Sequence, residues 1–266
     1  MGVLNVTPDS FSDGGRFAST DSAVAHAVAM SDGGAALIDV GGESTRPGSQ
    51  PVPPEEQIRR VVPVIQAVAS RVPALLSIDT TNSDVAAAAI DAGAALINDI
   101  SGARADAGML LLAARAGVPL ILMHMQGTPA TMQVAPRYDD VVAEVREFLR
   151  ERAAAATSAG IPLEHVLLDP GIGFGKNMAH NLDLLRRLAE LAGLGRPLVV
   201  GTSRKKFIGT ITNQPEPSRR LFGTAASVAW SVANGAAVVR VHDVAEMVQV
   251  VSVIEAIRDP DRAPRA

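Results

Sequence analysis

The sequence predicts a single-domain α/β protein, a (β/α)8 TIM barrel, and three observations carry that prediction. Eight short apolar runs recur along 266 residues, helical segments separate them, and nearly every run ends in a polar residue able to do chemistry. Polar groups gathered at the carboxyl ends of parallel strands are how a closed eight-stranded barrel builds a site, and the length is near the usual size for one.

The runs come in this order. Residues 3–4 precede Asn5, residues 36–38 precede Asp39, and residues 74–78 precede Asp79. Residues 95–97 precede Asn98, residues 120–123 precede His124, and residues 166–168 precede Asp169. Residues 198–200 lead into Gly-Thr-Ser-Arg-Lys, and residues 237–241 enclose Arg240 and precede His242.

Between the runs, Ala23, Val24, Ala27, Val28 and Met30 share one helical face, with Thr20 or Asp21 as the expected cap and Gly33-Gly34 as the stop. Pro53-Pro54 starts a second helix, with Glu55 and Glu56 in its first turn, and Pro63 is expected to kink it. A third begins within residues 81–84 and stops at Gly93. Residues 139–160 form the longest, with Glu144, Glu147, Arg150 and Glu151 on a solvated face, and residues 181–191 and 222–232 supply two more. This alternation favours parallel pairing through right-handed crossovers. An open doubly wound sheet shares the local pattern, but the count of eight and the chemistry on both early and late strands favour closure. No linker or repeat divides the chain, so residues 1–266 read as one domain with a tail from about residue 258.

Composition excludes several classes. Aromatic residues are 3% of the chain and the formal net charge is −4, which suits neither a stacking platform nor a basic face for nucleic acid. Any phosphate recognition must then be local. The absence of cysteine rules out disulfides and thiolate metal sites and fits a cytoplasmic protein. The N-terminus has no basic segment followed by a hydrophobic one, so it does not read as a signal peptide. Residues 221–239 carry no charge, yet their Gly, Thr, Ser and Asn content reads as a helix, an Asn-Gly turn and a buried strand rather than a bilayer span.

Two segments are too rich in glycine and polar residues to be simple connections: residues 5–15 after strand 1 and residues 41–54 after strand 2. Loops after barrel strands project over the mouth, and Phe11 and Arg46 have little use at a solvated tip. Asp79, Asn98 and Asp169 sit at equivalent strand ends. Two carboxylates and an amide converging in a walled pocket suit a flat heterocycle with several N–H donors. Taken singly, each aspartate could instead cap the following turn. Arg204, Lys205, Lys206, Arg240 and His242 bring positive charge to strands 7 and 8, where barrels commonly bind phosphate. Arg240 and His242 are two apart and point the same way, so they could clamp a di-anion with Arg46 arriving from the second loop. His26 and His165 read as structural, His124 could line the mouth, and the role of His180 is open.

The motif set resembles the dihydropteroate synthase family. It comprises NVTPDSFSDGG at residues 5–15, GGESTRPG at 41–48, SIDT at 77–80 and INDI at 97–100. LMHMQG at 122–127, LDPGIGFGK at 168–176, SRK at 203–205 and RVHD at 240–243 complete it. The motifs run in family order from residue 2 to about residue 257. The resemblance implies condensation of 6-hydroxymethyl-7,8-dihydropterin pyrophosphate with 4-aminobenzoate, giving 7,8-dihydropteroate and pyrophosphate in folate synthesis. It implies that Asp79, Asn98, Asp169, Lys205 and Arg240 hold the pterin, with Met123 on its face. Asn5 would meet Mg2+ carried with the pyrophosphate, while Thr45, Arg46, Arg240 and His242 bind its oxygens. Phe11, Thr45, Pro47, Phe174, Lys205 and Lys206 would wall the aminobenzoate site, with Asp13 capping the reacting centre. The implied catalytic set is Asp13, Arg46, Lys205, Arg240 and His242. A homodimer with small-molecule substrates and no nucleic-acid or membrane partner is also implied.

Departures from the family are modest. The chain begins at strand 1 without the short extension common in relatives, and Lys206 stands where many have a small hydroxyl residue. The loop at residues 213–220 is also idiosyncratic. The last two bear on sulfonamides, which imitate aminobenzoate.

The expected chemistry is dissociative, because an aromatic amine is a weak nucleophile. Loss of pyrophosphate leaves a pterin methylene cation, carboxylates oppose its charge, and cations stabilise the departing group. Closure of the first two loops would exclude water that could trap the cation. Other readings are a methyltetrahydrofolate-binding corrinoid methyltransferase, a Schiff-base aldolase using Lys205, and a non-catalytic barrel paralogue. The methyltransferase would share Asp79, Asn98 and Asp169 but would not need Arg46 or Arg240. Replacing Arg46 with Ala is expected to lower turnover on the order of 10²-fold. Unchanged pyrophosphate release in that variant would remove Arg46 from the mechanism.

Overall fold

The computed structural model describes residues 1–6, 15–44 and 48–262. Phe11, Asp13, Thr45, Arg46 and Pro47, all expected at the site, lie outside the described residues.

Eight strands pair in chain order, each parallel to the next. They are β1 (Gly2–Asn5), β2 (Leu37–Gly41), β3 (Leu75–Asp79), β4 (Leu96–Asp99), β5 (Leu120–Met123), β6 (Val166–Asp169), β7 (Leu198–Val200) and β8 (Ala236–Val239). The sheet closes where Gly2 bridges Val241, with Val3 N–H donating to the Val241 carbonyl at 3.0 Å. This is the (β/α)8 barrel the sequence predicts.

Alternation along each strand divides the protein into two interiors. Ile38 and Val40 of β2, Leu76 and Ile78 of β3 and Leu120 and Leu122 of β5 pack outward against the helices. Burying each such side chain contributes about 1.5–3 kcal/mol. Inside the barrel, Leu96, Ile121 and Val199 form an apolar floor with Met1, Leu167 and Val238. Above that floor the inward positions turn polar: Asp39, Ser77, Asp79, Asn98 and Asp169 are all buried.

Ten helices surround the sheet among the described residues. They are α1 (Gly15–Asp32), α2 (Pro54–Ala69), α3 (Ser83–Asp91), α4 (Met109–Ala116), α5 (Val141–Ser158), α6 (Met178–Arg186), α7 (Leu188–Ala192), α8 (Lys206–Ile211), α9 (Leu221–Ala233) and α10 (Val244–Arg258). Thr20 and Asp21 lie inside α1, which starts earlier than the expected cap. α2 continues through Pro63, which sits on the exposed side where water can satisfy the carbonyl left without a donor. Asn82 caps α3 and Asp140 caps α5, each accepting from two backbone N–H groups. The segment read as one helix over residues 181–191 divides at Arg187 into α6 and α7. The uncharged stretch is helix α9, a turn at Gly235 and strand β8, and among the described residues no helix is long and apolar enough to cross a membrane.

The loop after β6 is tied to the loop after β5 by close backbone approach. Gly171 has φ +65°, and a Cβ there would stand 1.9 Å from the His124 carbonyl oxygen. Gly171→Ala is expected to cost about 3 kcal/mol or more, since strain and overpacking act together. Thermal melting checks this, and a melting temperature within 2–3 °C of the parent (roughly 1 kcal/mol) would contradict it.

Candidate active site

The inward polar residues open into a cavity at the carboxyl ends of the strands. Its lining includes Asp79, Asn98, Met123, Asp169, Phe174, Ser203, Lys205, Arg240 and His242. Register explains the convergence: Gly41 pairs with Asp79, Asp79 with Asn98, and Met123 with Asp169. Asn5 pairs with Gly41 at the end of β1. A Cβ on Gly41 would lie 3.6 Å from both Asn5 Oδ1 and Asp79 Cβ, so this glycine separates the two side chains.

One wall presents acceptors. Asp79 Oδ2 accepts from Arg240 Nη2 at 2.8 Å, while the buried Oδ1 has no hydrogen-bond partner among the described residues. Such an orphan is costly unless a ligand supplies a donor. Asp169 Oδ1 accepts from Gly171 N–H at 2.6 Å. Burial raises the Asp79 carboxyl to about 7, with Asp39 adding to the rise and Arg240 opposing it. Burial likewise raises Asp169 to about 6, opposed by the Gly171 N–H and by Lys205.

The other wall presents donors. Lys205 Nζ donates to the Ile172 carbonyl at 2.7 Å and lies 4.2 Å from the centre of the Phe174 ring. Burial lowers this ammonium to about 8, and Asp169 pulls the other way. Arg240 reaches across the barrel, with Nε donating to Asp39 Oδ2 at 2.7 Å. Two of its five N–H donors are thus accounted for by carboxylates, so it joins the acceptor wall to the cationic one. Ser203 Oγ lies 3.0 Å from His242 Nδ1 and accepts from His242 N–H. Arg204 is held at φ +59° and pairs with Asp243, fastening the loop after β7 to the loop after β8.

Eight of the residues singled out by sequence therefore meet in one place: Asp79, Asn98, Met123, Asp169, Phe174, Lys205, Arg240 and His242. Lys206 does not join them. It starts α8 with its side chain exposed, because the extended backbone of Lys205 turns the chain away from the cavity. His124 faces outward, the opposite parity to Met123, and packs edge-on to Phe148 rather than lining the mouth. His180 caps α6 together with Asn177 and stacks edge-on to Tyr138.

Two residues that the sequence marks only as the end of an apolar run and the end of a motif, and to which it assigns no role, take part in the arrangement. Asp39, fully buried, accepts from Ser77 Oγ, Asn98 Nδ2 and Arg240 Nε. Its signal was an acidic side chain ending an apolar run at inward parity. Lys176, 2% exposed, reaches the carbonyls of Gly171 at 3.0 Å and Phe174 at 2.9 Å and His124 Nδ1 at 2.9 Å. Burial lowers this ammonium to about 7 and lowers the His124 imidazole to about 2, so the ring is a neutral acceptor. A lysine closing a run of alternating glycines was the available sign.

Sequence comparison decides the family. The profile of the pterin-binding enzymes matches residues 1–242. The chain belongs to that family. Dihydropteroate synthase of Escherichia coli strain K12 is 51% identical over 256 residues, covering 96% of this chain and 90% of the relative. Among solved structures, the Xanthomonas albilineans dihydropteroate synthase with 4-aminobenzoic acid superposes with a TM-score of 0.92 at 46% identity, covering 99% of this chain and 93% of that one. The same enzyme in complex with 7,8-dihydropteroate gives 0.88 at 43% identity, covering 99% and 94%.

For a family that binds pterins, the raised carboxyls carry a pH dependence with a definite sign. A ring rich in N–H donors would bind the carboxylate forms, so if Asp79 and Asp169 receive it, protons held by Asp79 below about 7 and by Asp169 below about 6 would leave on binding. Pterin affinity is expected to weaken as pH falls from 8 to 5.5, with proton release on binding. Calorimetry in buffers of different ionisation enthalpy measures both, and proton uptake would refute the assignment.

Proposed function

We propose that the protein catalyses the dihydropteroate synthase reaction by a dissociative route. The carrying observation is the division of one cavity into a buried acceptor wall, Asp79, Asn98 and Asp169, and a cationic wall, Lys205 and Arg240 with His242. The acceptors hold 6-hydroxymethyl-7,8-dihydropterin by its N–H edge, with Met123 on its face. Arg240 and His242 meet the pyrophosphate. The methylene C–O bond breaks first and its electron pair leaves with pyrophosphate. The amine nitrogen of 4-aminobenzoate then forms the new C–N bond and gives up a proton. Carboxylates beneath the ring oppose its growing positive charge, and low dielectric around them strengthens that effect. Phe174 and the stem of Lys205 wall the second substrate.

Among the described residues no three His, Cys, Asp or Glu converge to hold an ion. Mg2+ commonly keeps water and substrate phosphates as ligands and takes only one or two from protein. Asn5 Oδ1, beside Gly41 at the carboxyl end of β1, fits that modest demand. Asn5 would hold the ion, which would supply charge neutralisation to the leaving group. The exposed Phe222, Trp230, Val253 and Ile257 on α9 and α10 support a homodimer through that side of the barrel.

The test is pyrophosphate release by purified protein given the pterin pyrophosphate and 4-aminobenzoate with Mg2+. Release in step with dihydropteroate formation is expected. In Asp169→Asn the rate is expected to fall on the order of 10²-fold, as an acceptor becomes partly a donor. Absence of release from the parent protein would overturn the assignment.

A further inference from the structure

Asp39 lies one layer below Asp79 inside the barrel and has no exposure to solvent. Its Oδ1 accepts from Ser77 Oγ at 2.6 Å. Its Oδ2 accepts from Asn98 Nδ2 at 2.9 Å and from Arg240 Nε at 2.7 Å. An ionised carboxylate only accepts, whereas a primary amide has an accepting oxygen and a donating nitrogen of nearly equal size. Turned by 180°, Asn98 would set its Oδ1 against the Asp39 oxygen, and a buried hydrogen bond to a charged group would be replaced by repulsion. Asn98 therefore meets the cavity with its order settled: Oδ1 and one Nδ2 hydrogen remain for a ligand.

We propose that Asp39 acts as a positioning residue that fixes the donor–acceptor order of Asn98, and thereby makes the cavity prefer an aminopteridine over its oxo counterpart. The inference rests on the pterin reading above and goes beyond it. An amide held in this order complements an amino group next to an accepting ring nitrogen. A pteridine with a carbonyl beside a ring N–H presents the reverse order and suits only the flipped amide. The specificity sits one side chain away from any ligand contact, in a residue that touches no substrate.

The experiment compares binding of 6-hydroxymethyl-2-amino-4-oxopteridine with its 2,4-dioxo analogue at pH 7 by calorimetry, in the parent protein and in Asp39→Asn. The parent is expected to favour the amino compound by about 100-fold or more, since a site built to hydrogen-bond a group rejects analogues that lack it. Asp39→Asn lets both amides rotate, and the ratio is expected to fall below about 10-fold. A parent that binds neither compound overturns the pterin reading and the inference with it. A parent that discriminates while a folded Asp39→Asn retains the same ratio overturns the inference alone. If Asp39→Asn does not fold, a second variant at the same position, Asp39→Ser, decides. A hydroxyl can donate or accept and leaves the Asn98 amide free to take either order, so a ratio below about 10-fold supports the assignment and a ratio within about threefold of the parent refutes it.

Discussion

The salt bridge of Arg240 to Asp39 and Asp79 is the constraint on which this site depends. It spans the barrel interior from β8 to β2 and β3, next to the seam where Gly2 meets Val241. Removing one partner of such a buried group typically costs about 3–5 kcal/mol, because the survivor is left without compensation. The same bonds orient the guanidinium toward the cavity and place its charge above the apolar floor. A single arginine thus bears on closure of the barrel, on the charge state of Asp79, and on the boundary between the two walls.

That boundary has chemical consequences. Asp79 and Asp169 are raised toward neutrality by burial, while Lys205 and Lys176 are lowered toward it. Each is costly alone, and each is made less so by a neighbour of opposite sign. A ligand with N–H donors on one edge and negative charge on the other satisfies both sets together, which is stronger discrimination than either wall offers. On the dissociative route proposed above, leaving-group departure would move positive charge onto the ring, toward the carboxylates. The cavity would then be preorganised for the charge distribution that develops during the reaction rather than for the neutral ring.

Much of this arrangement is legible in the sequence, because strand ends announce themselves: an apolar run stops at Asp79, Asn98 or Asp169 and a loop begins. Asp39 ends a run in the same way, but its carboxylate lies one layer deeper than Asp79, and its role emerges only when the partner from β8 is in place. His124 was misread for the complementary reason. It ends a run, yet one position of alternation separates the cavity from the helix layer, and Met123 takes the inward place. Lys205 and Lys206 are adjacent and chemically alike, and only the backbone turn at the start of α8 distinguishes them. Helices α4, α8 and α10 left weak marks, since α4 and α10 are apolar on much of their surface and α8 is short. Closure itself follows in the sequence from the count of strands and the chemistry on early and late ones; in the structure it is carried by Val3 N–H donating to the Val241 carbonyl and Val241 N–H donating to the Met1 carbonyl across the seam.

The cavity wall is also held from outside the barrel, by groups that face the helices. Lys176 gathers the carbonyls of Gly171 and Phe174 and the ring of His124, joining the loop after β6 to the end of β5. Tyr138 adds a bond to the Gly175 carbonyl at 2.8 Å, and Asn181 accepts from Gly173 N–H. Three glycines of that loop adopt positive φ, so its backbone polar groups turn inward where no strand can pair them. A buried ammonium with several acceptors around it performs the task that hydrogen-bonded neighbours perform for a strand. The loop is thereby rigid enough to present Phe174 and the Ile172 carbonyl to Lys205. Rigidity matters because a cation whose position is set by the protein need not reorganise when the leaving group acquires charge.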